Sequence, residues 1–165
     1  VICIPQGWIW QGGIALAVVM FGDSVDGTLA RMTTGGTRFG AFLDSTLDRL
    51  GDGAVFGSLT AYAVFHMDNS SVRTWTIIAG ICSIVGAAAV PYARARAESV
   101  GVVAKLGIAE RTDRLIIGMG TAMLMSLGLP EWVFACGLTW VAFASFVTVC
   151  QRIWFTARHI DEGAQ

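Results

Sequence analysis

The stretch GDSVDGTLARMTTGGTRFGAFLDSTLDRLGDG, residues 22–53, decides how this chain is read. It places Asp23, Asp26, Asp44, Asp48 and Asp52 between two apolar runs, IWQGGIALAVVMF and AVFGSLTAYAVF. Helix positions three or four apart share a face. Asp23 and Asp26 therefore form one acidic pair, and Asp44 and Asp48 form another. The link between the pairs contains TTGG and is short. The flanking helices are then antiparallel neighbours whose carboxylates can converge at one depth. Carboxylates gathered in a low dielectric need compensation by protons, by arginines such as Arg31 and Arg49, or by a divalent metal, and hard oxygen donors suit Mg²⁺ or Mn²⁺. An ion-paired helix contact is the plain alternative, but acids inside a membrane mark function by default.

The setting is a membrane. The chain has 165 residues, of which 55% are hydrophobic and 14% charged, and its mean hydropathy is +0.64. Soluble domains usually carry about a quarter charged residues. The formal net charge of −1 says nothing about nucleic acid, and no basic arm or basic–aromatic interleaving suggests such a partner, so none is expected. Cys3, Cys82, Cys136 and Cys150 are scattered in apolar context, which argues against a zinc site or a disulfide frame and for small packing residues. No cleavable signal peptide is visible and the chain does not begin with Met, so it is expected to be part of a longer protein.

A span needs roughly 20 mostly apolar residues. Five stretches qualify: residues 8–30, 39–65, 74–97, 112–127 (a short one) and 131–154. The fold expected is an all-α, polytopic transmembrane bundle of five spans. Ten of the eleven Lys and Arg fall at or beside the connectors MTTGGTR and ESVGVVAKLGIAER and the tail RIWFTARHIDEGAQ, with Arg73 the exception. The positive-inside rule places these in the cytoplasm. Gly57, Gly80, Gly86, Gly118, Gly120 and Gly137 read as points where helices approach closely. Trp8, Trp10, Trp75, Trp132 and Trp154 fall near span ends, as an interfacial belt does.

The acidic stretch has a fixed pattern. It runs Asp23-x-x-Asp26-Gly27-x-x-Ala30-Arg31, then eight residues, then Gly40-x-x-x-Asp44-x-x-x-Asp48. The pattern resembles the complete signature of the CDP-alcohol phosphatidyltransferases. That resemblance implies one transmembrane domain over residues 1–165, N-terminally incomplete, because the family has six membrane helices and five are counted here. It implies transfer of a phosphatidyl group from CDP-diacylglycerol to an alcohol, with CMP released, at a bacterial cell membrane and with the site facing the cytoplasm. It also implies a homodimer. Asp23, Asp26, Asp44 and Asp48 would hold two divalent ions (Mg²⁺, with Mn²⁺ the alternative), and Asp48 would also act as general base. Gly27, Arg31, Thr37 and Gly40 would contact CDP-diacylglycerol. Asp52 lies outside the signature and reads as a hydrogen-bonded or Arg49-paired carboxylate that stiffens the site, in preference to a metal ligand.

The acceptor must be read elsewhere. YARARAE (residues 92–98), GIAERTDR (residues 107–114) and Arg152 bring arginines to the cytoplasmic side. Guanidinium forks suit an anionic acceptor that carries a phosphate, although arginines at such span ends also serve simply to orient a membrane protein. Together with TRFGAFLDSTLDR, these segments look most like the actinobacterial branch of the family that makes phosphatidylinositol phosphate. This implies inositol 1-phosphate as acceptor, held by Arg94, Arg111 and Arg152, with Arg96 the alternative to Arg94 and Arg114 the alternative to Arg111. Glycerol 3-phosphate, the acceptor of phosphatidylglycerol-phosphate synthases, is the nearest rival. A cation or proton transporter is the rival from another class, but its charges belong near the midplane in two matched halves, and here they cluster at one end of two adjacent helices.

Overall fold

The computed structural model describes residues 2–18, 37–104, 106–108 and 110–160, and among these it is entirely helical apart from turns and loops. A 3₁₀ turn, Ile4–Gln6, leads into α1, Ile9–Val18. Four long elements follow: α2 Arg38–His66, α3 Ser71–Ser99, α4 Arg111–Ser126 and α5 Glu131–His159. Each matches an expected span to within a few residues. The exception is α5, which runs five residues past the expected end at Trp154. The extension reads as polar, but its charges are accommodated on the helix. Arg158 lies over the Trp154 ring at 3.9 Å, and the His159 ring stacks on Phe155. The part of the first expected span beyond Val18 lies outside the described residues.

Among the described residues, α3 and α5 are long and apolar enough to cross a membrane. Helix α2 equals them in length but carries the acidic stripe in its first half. Helix α4 has 16 residues, which spans about 24 Å. The bundle is a membrane-protein bundle turned outward. Ile78, Ile81 and Val85 on α3 and Trp140, Phe143 and Phe146 on α5 are exposed. A soluble monomer rarely exposes so continuous an apolar surface.

The interior is made of small residues and a few large ones. Phe56, Leu59, Leu115, Phe134 and Leu138 are buried to the last few per cent beside Ala63, Ala79, Ala87 and Ala122. The buried hydroxyls of Thr76, Ser83 and Thr148 donate to the carbonyls four residues back, so they enter the core without an unmet donor. The single Ser83 proton is shared with the Leu138 carbonyl, 2.9 Å away across the α3–α5 seam. Close approach is enforced by glycine. A Cβ on Gly80 would lie 2.2 Å from Thr60 Oγ1, and one on Gly137 would lie 2.2 Å from Thr121 Oγ1. Gly86 and Gly118 are similarly crowded, by Ser145 and Phe56. Gly57 and Gly120 were expected as contact points too, but among the described residues a Cβ there would meet nothing within 4 Å. The five tryptophans expected at the interface are 40–58% exposed. Cys136 and Cys150, expected as packing residues, are exposed on α5.

Candidate functional site

Helix α2 starts at a cap. Thr37 Oγ1 accepts the Gly40 N–H at 3.0 Å, which satisfies one of the orphan donors of the first turn. A Cβ on Gly40 would sit 3.1 Å from that same oxygen, so the glycine keeps the cap open. Thr37 was expected to contact a lipid substrate. Its described role is this cap, and the hydroxyl keeps its own proton to donate.

From the cap, the acids descend α2 one turn at a time. Asp44 is exposed, Asp48 is half-buried and Asp52 is buried. The next turns on this face carry Phe56 and Thr60, both buried. The acidic stripe is therefore the outer end of the helix face that forms the core. Asp44, Asp48 and Asp52 all line a cavity of about 1020 Å³ at this end of the bundle.

The other wall of the cavity is basic. Arg94 of α3, Arg111 and Arg114 of α4, and Arg152 of α5 line it. Arg94 donates through Nε to Glu98 Oε1 at 2.9 Å, and both side chains are nearly half exposed. Such a pair is weak and readily exchanged. Arg96, the alternative to Arg94, is exposed but does not line the cavity. Arg152 donates through Nε to the Leu106 carbonyl at 2.9 Å and through Nη1 to the Val90 carbonyl at 2.6 Å. Val90 immediately precedes Pro91, which lies inside α3. A guanidinium has five N–H donors, so these two bonds leave three at the cavity.

Arg111 and Arg114 both meet α2. Arg111 Nη1 lies 2.7 Å from Asp48 Oδ1, and its Nε lies 2.9 Å from Asp52 Oδ1. Arg114, buried, donates through Nη2 to Asp52 Oδ2 at 3.0 Å. Asp52 is thus hydrogen-bonded, as one of the two expectations had it, but not to Arg49. Arg49 instead donates to the Ser45 carbonyl on its own helix.

Of the residues expected in the site, Asp44, Asp48, Arg94, Arg111 and Arg152 surround one cavity. Asp23, Asp26, Gly27 and Arg31 lie outside the described residues. Among the described residues no three His, Cys, Asp or Glu side chains gather closely enough to hold a metal. Asp44 and Asp48 present two hard carboxylates to the cavity, the donor type that suits Mg²⁺ or Mn²⁺. Three participants were missed from the sequence. Glu98 holds Arg94, and the i, i+4 spacing within RARAE could have announced it. The Val90 and Leu106 carbonyls hold Arg152, and no sequence signal announces those.

Comparison with known proteins agrees with this picture. The profile of the CDP-alcohol phosphatidyltransferase family matches residues 1–147. The phosphatidylinositol phosphate synthase of Cutibacterium acnes is 39% identical over 159 residues, covering 92% of this chain and 75% of the relative. The crystal structure of the Mycobacterium tuberculosis phosphatidylinositol phosphate synthase with CDP-DAG bound superposes with a TM-score of 0.83 at 35% identity, covering 93% of this chain and 76% of that one. Its complex with manganese and citrate gives a TM-score of 0.84 at 35% identity, covering 93% and 73%. The chain spans 66–75% of the length of such curated relatives.

Proposed function

Because the chain belongs to the CDP-alcohol phosphatidyltransferase family, we propose that it transfers a phosphatidyl group from CDP-diacylglycerol to inositol 1-phosphate. The observation that carries this reading is the two-sided cavity, with α2 carboxylates on one wall and four arginines from three other helices on the opposite wall. An acid wall suits cations that grip a diphosphate. A basic wall suits a second, phosphorylated substrate.

In this reading the acceptor phosphate sits on Arg94, Arg111 and Arg152. The exposed Arg94–Glu98 pair yields to it, and Arg152 is already oriented by its two carbonyls. The acceptor hydroxyl then faces Asp48. Its oxygen attacks the β-phosphorus of CDP-diacylglycerol, the bond from that phosphorus to the bridging oxygen breaks, and CMP leaves with the electron pair. Asp48 takes the hydroxyl proton, and a base so placed contributes about 10²–10⁴-fold. Asp23, Asp26, Asp44 and Asp48 would hold a pair of divalent ions, Mg²⁺ or Mn²⁺, which supply neutralisation of the diphosphate and of the departing phosphate. Gly27, Arg31, Thr37 and Gly40 belong to the CDP-diacylglycerol side. Arg94, Arg111 and Arg152, which line the cavity, belong to the basic set that the positive-inside rule assigns to the cytoplasm, and this supports a site at the cytoplasmic face of a bacterial membrane. A homodimer is the assembly proposed.

The test is direct. Membranes carrying the protein are incubated with CDP-diacylglycerol, Mg²⁺ and one acceptor at a time, and CMP is measured. Release with inositol 1-phosphate is expected. Release with glycerol 3-phosphate alone refutes the acceptor assignment, and cation flux in liposomes without CMP release refutes the transferase reading.

A further inference from the structure

Asp52 lies one turn inward of Asp48 and is only 4% exposed. Its two oxygens serve two different arginines, Oδ1 accepting from Arg111 Nε at 2.9 Å and Oδ2 from Arg114 Nη2 at 3.0 Å. Both arginines sit in the first turn of α4. That end of a helix carries the positive pole of the macrodipole and disfavours cations. Asp113 in the same turn answers a different need, because its carboxylate accepts the Glu110 N–H. Across the helix gap Asp52 meets both Arg111 and Arg114, and Asp48 meets Arg111 as well.

The geometry has a directional consequence. A guanidinium is a rigid plane, so fixing Arg111 at Nε fixes where its terminal nitrogens point. Nη1 points at Asp48, 2.7 Å away. We propose that Asp52 is a positioning residue: it grips Arg111 and Arg114 together and thereby sets the terminal nitrogens of Arg111 against Asp48 and the cavity. The effect on rate rests on the transfer reading above, whereas the clamp itself does not. An amide cannot replace the carboxylate. Arg111 and Arg114 take separate oxygens of Asp52, and asparagine in that orientation offers one oxygen plus an NH₂ that would face the second donor.

Four proteins test this: wild type, Asp52→Asn, Arg111→Gln and the double variant, each as the full chain in lipid–detergent micelles. Steady-state CMP release gives kcat and the KM of each substrate. Asp52→Asn should lower kcat/KM for the acceptor about 10²-fold, the scale of a misplacement near 1 Å, with the CDP-diacylglycerol KM little changed. In the Arg111→Gln background the same substitution should cost little more, because what it acts through is already gone. An equal fold-loss in both backgrounds, or wild-type kinetics for Asp52→Asn, overturns the proposal. If Asp52→Asn does not fold, Asp52→Glu takes its place in the same cycle, since it keeps both oxygens but moves them by one methylene. Thermal unfolding of the four proteins reads the clamp without turnover. Overlapping falls in Tm support it and fully additive falls refute it. A wild type that releases no CMP with any acceptor sinks the transfer reading, and the unfolding cycle still decides the clamp.

Discussion

Replacing Arg152 separates the two walls of the cavity. Its guanidinium is braced by the Val90 and Leu106 carbonyls at 2.6 and 2.9 Å, and three N–H donors remain at the cavity. A charge-assisted hydrogen bond to an ionised partner contributes roughly 1.5–3 kcal/mol. At about 1.4 kcal/mol per decade, removing one such contact from the acceptor phosphate weakens acceptor binding by about 10- to 150-fold. Arg152→Ala should therefore raise the acceptor KM by that factor and leave the CDP-diacylglycerol KM nearly unchanged. Arg152→Lys keeps the charge but loses the fork that reaches both carbonyls, so its acceptor KM should fall between the two. The assay is CMP release in mixed micelles, with the acceptor varied at saturating CDP-diacylglycerol and then the reverse. Equal rises in both KM values would refute the reasoning, because Arg152 would then be bracing the loop at Leu106 for the whole cavity rather than holding one substrate.

Other perturbations probe the opposite wall and the scaffold. Asp48→Asn should abolish turnover while substantial CDP-diacylglycerol binding persists in equilibrium filtration, and retention of most of the rate would remove Asp48 as base. Chelation with EDTA should stop CMP release, and Mg²⁺ or Mn²⁺ should restore it. Full activity after exhaustive chelation would contradict the role given to Asp44 and Asp48. Gly137→Ala would set a Cβ within 2.7 Å of three Thr121 side-chain atoms, and overpacking of this kind costs about 1–3 kcal/mol. A clear fall in Tm is expected, partly recovered by adding Thr121→Ala.

The i, i+4 spacing of Asp44, Asp48 and Asp52 made the acidic face of α2 readable in advance, because helical periodicity is a local property. Helix positions were readable for the same reason, since apolar runs are local signals. Partnerships were not readable. Asp52 had a basic neighbour three residues away in Arg49, yet its partners are 59 and 62 residues distant on α4. Only the packing of α2 on α4 decides between them. The same holds for Arg152, whose acceptors are backbone carbonyls that every residue carries and that no composition marks. Gly57 and Gly120 looked like Gly80 and Gly137 in sequence. The difference is whether, among the described residues, a neighbouring helix passes that face.

The α2–α4 contact also explains why the cavity opens where it does. Deep in the bundle, Gly118 meets the ring of Phe56 directly, with room for only a tight Cβ contact at 3.0 Å. One turn outward on α2 the pairing is Asp52 with Arg114, and one turn further it is Asp48 with Arg111. The next acid, Asp44, is exposed and lines the cavity. The rungs thus pass from an aromatic ring on a glycine to long guanidinium arms on carboxylates, and then to open space. Apolar contacts suit the tight end, because without a hydrophobic drive in lipid helices hold together by close packing. Ion pairs suit the wide end, because a long charged arm can bridge a gap and be released into water at the surface. A buried pair such as Asp52–Arg114 adds little net stability against an apolar pair of the same volume. Its place at the floor of the cavity is therefore better explained by what it orients than by what it stabilises.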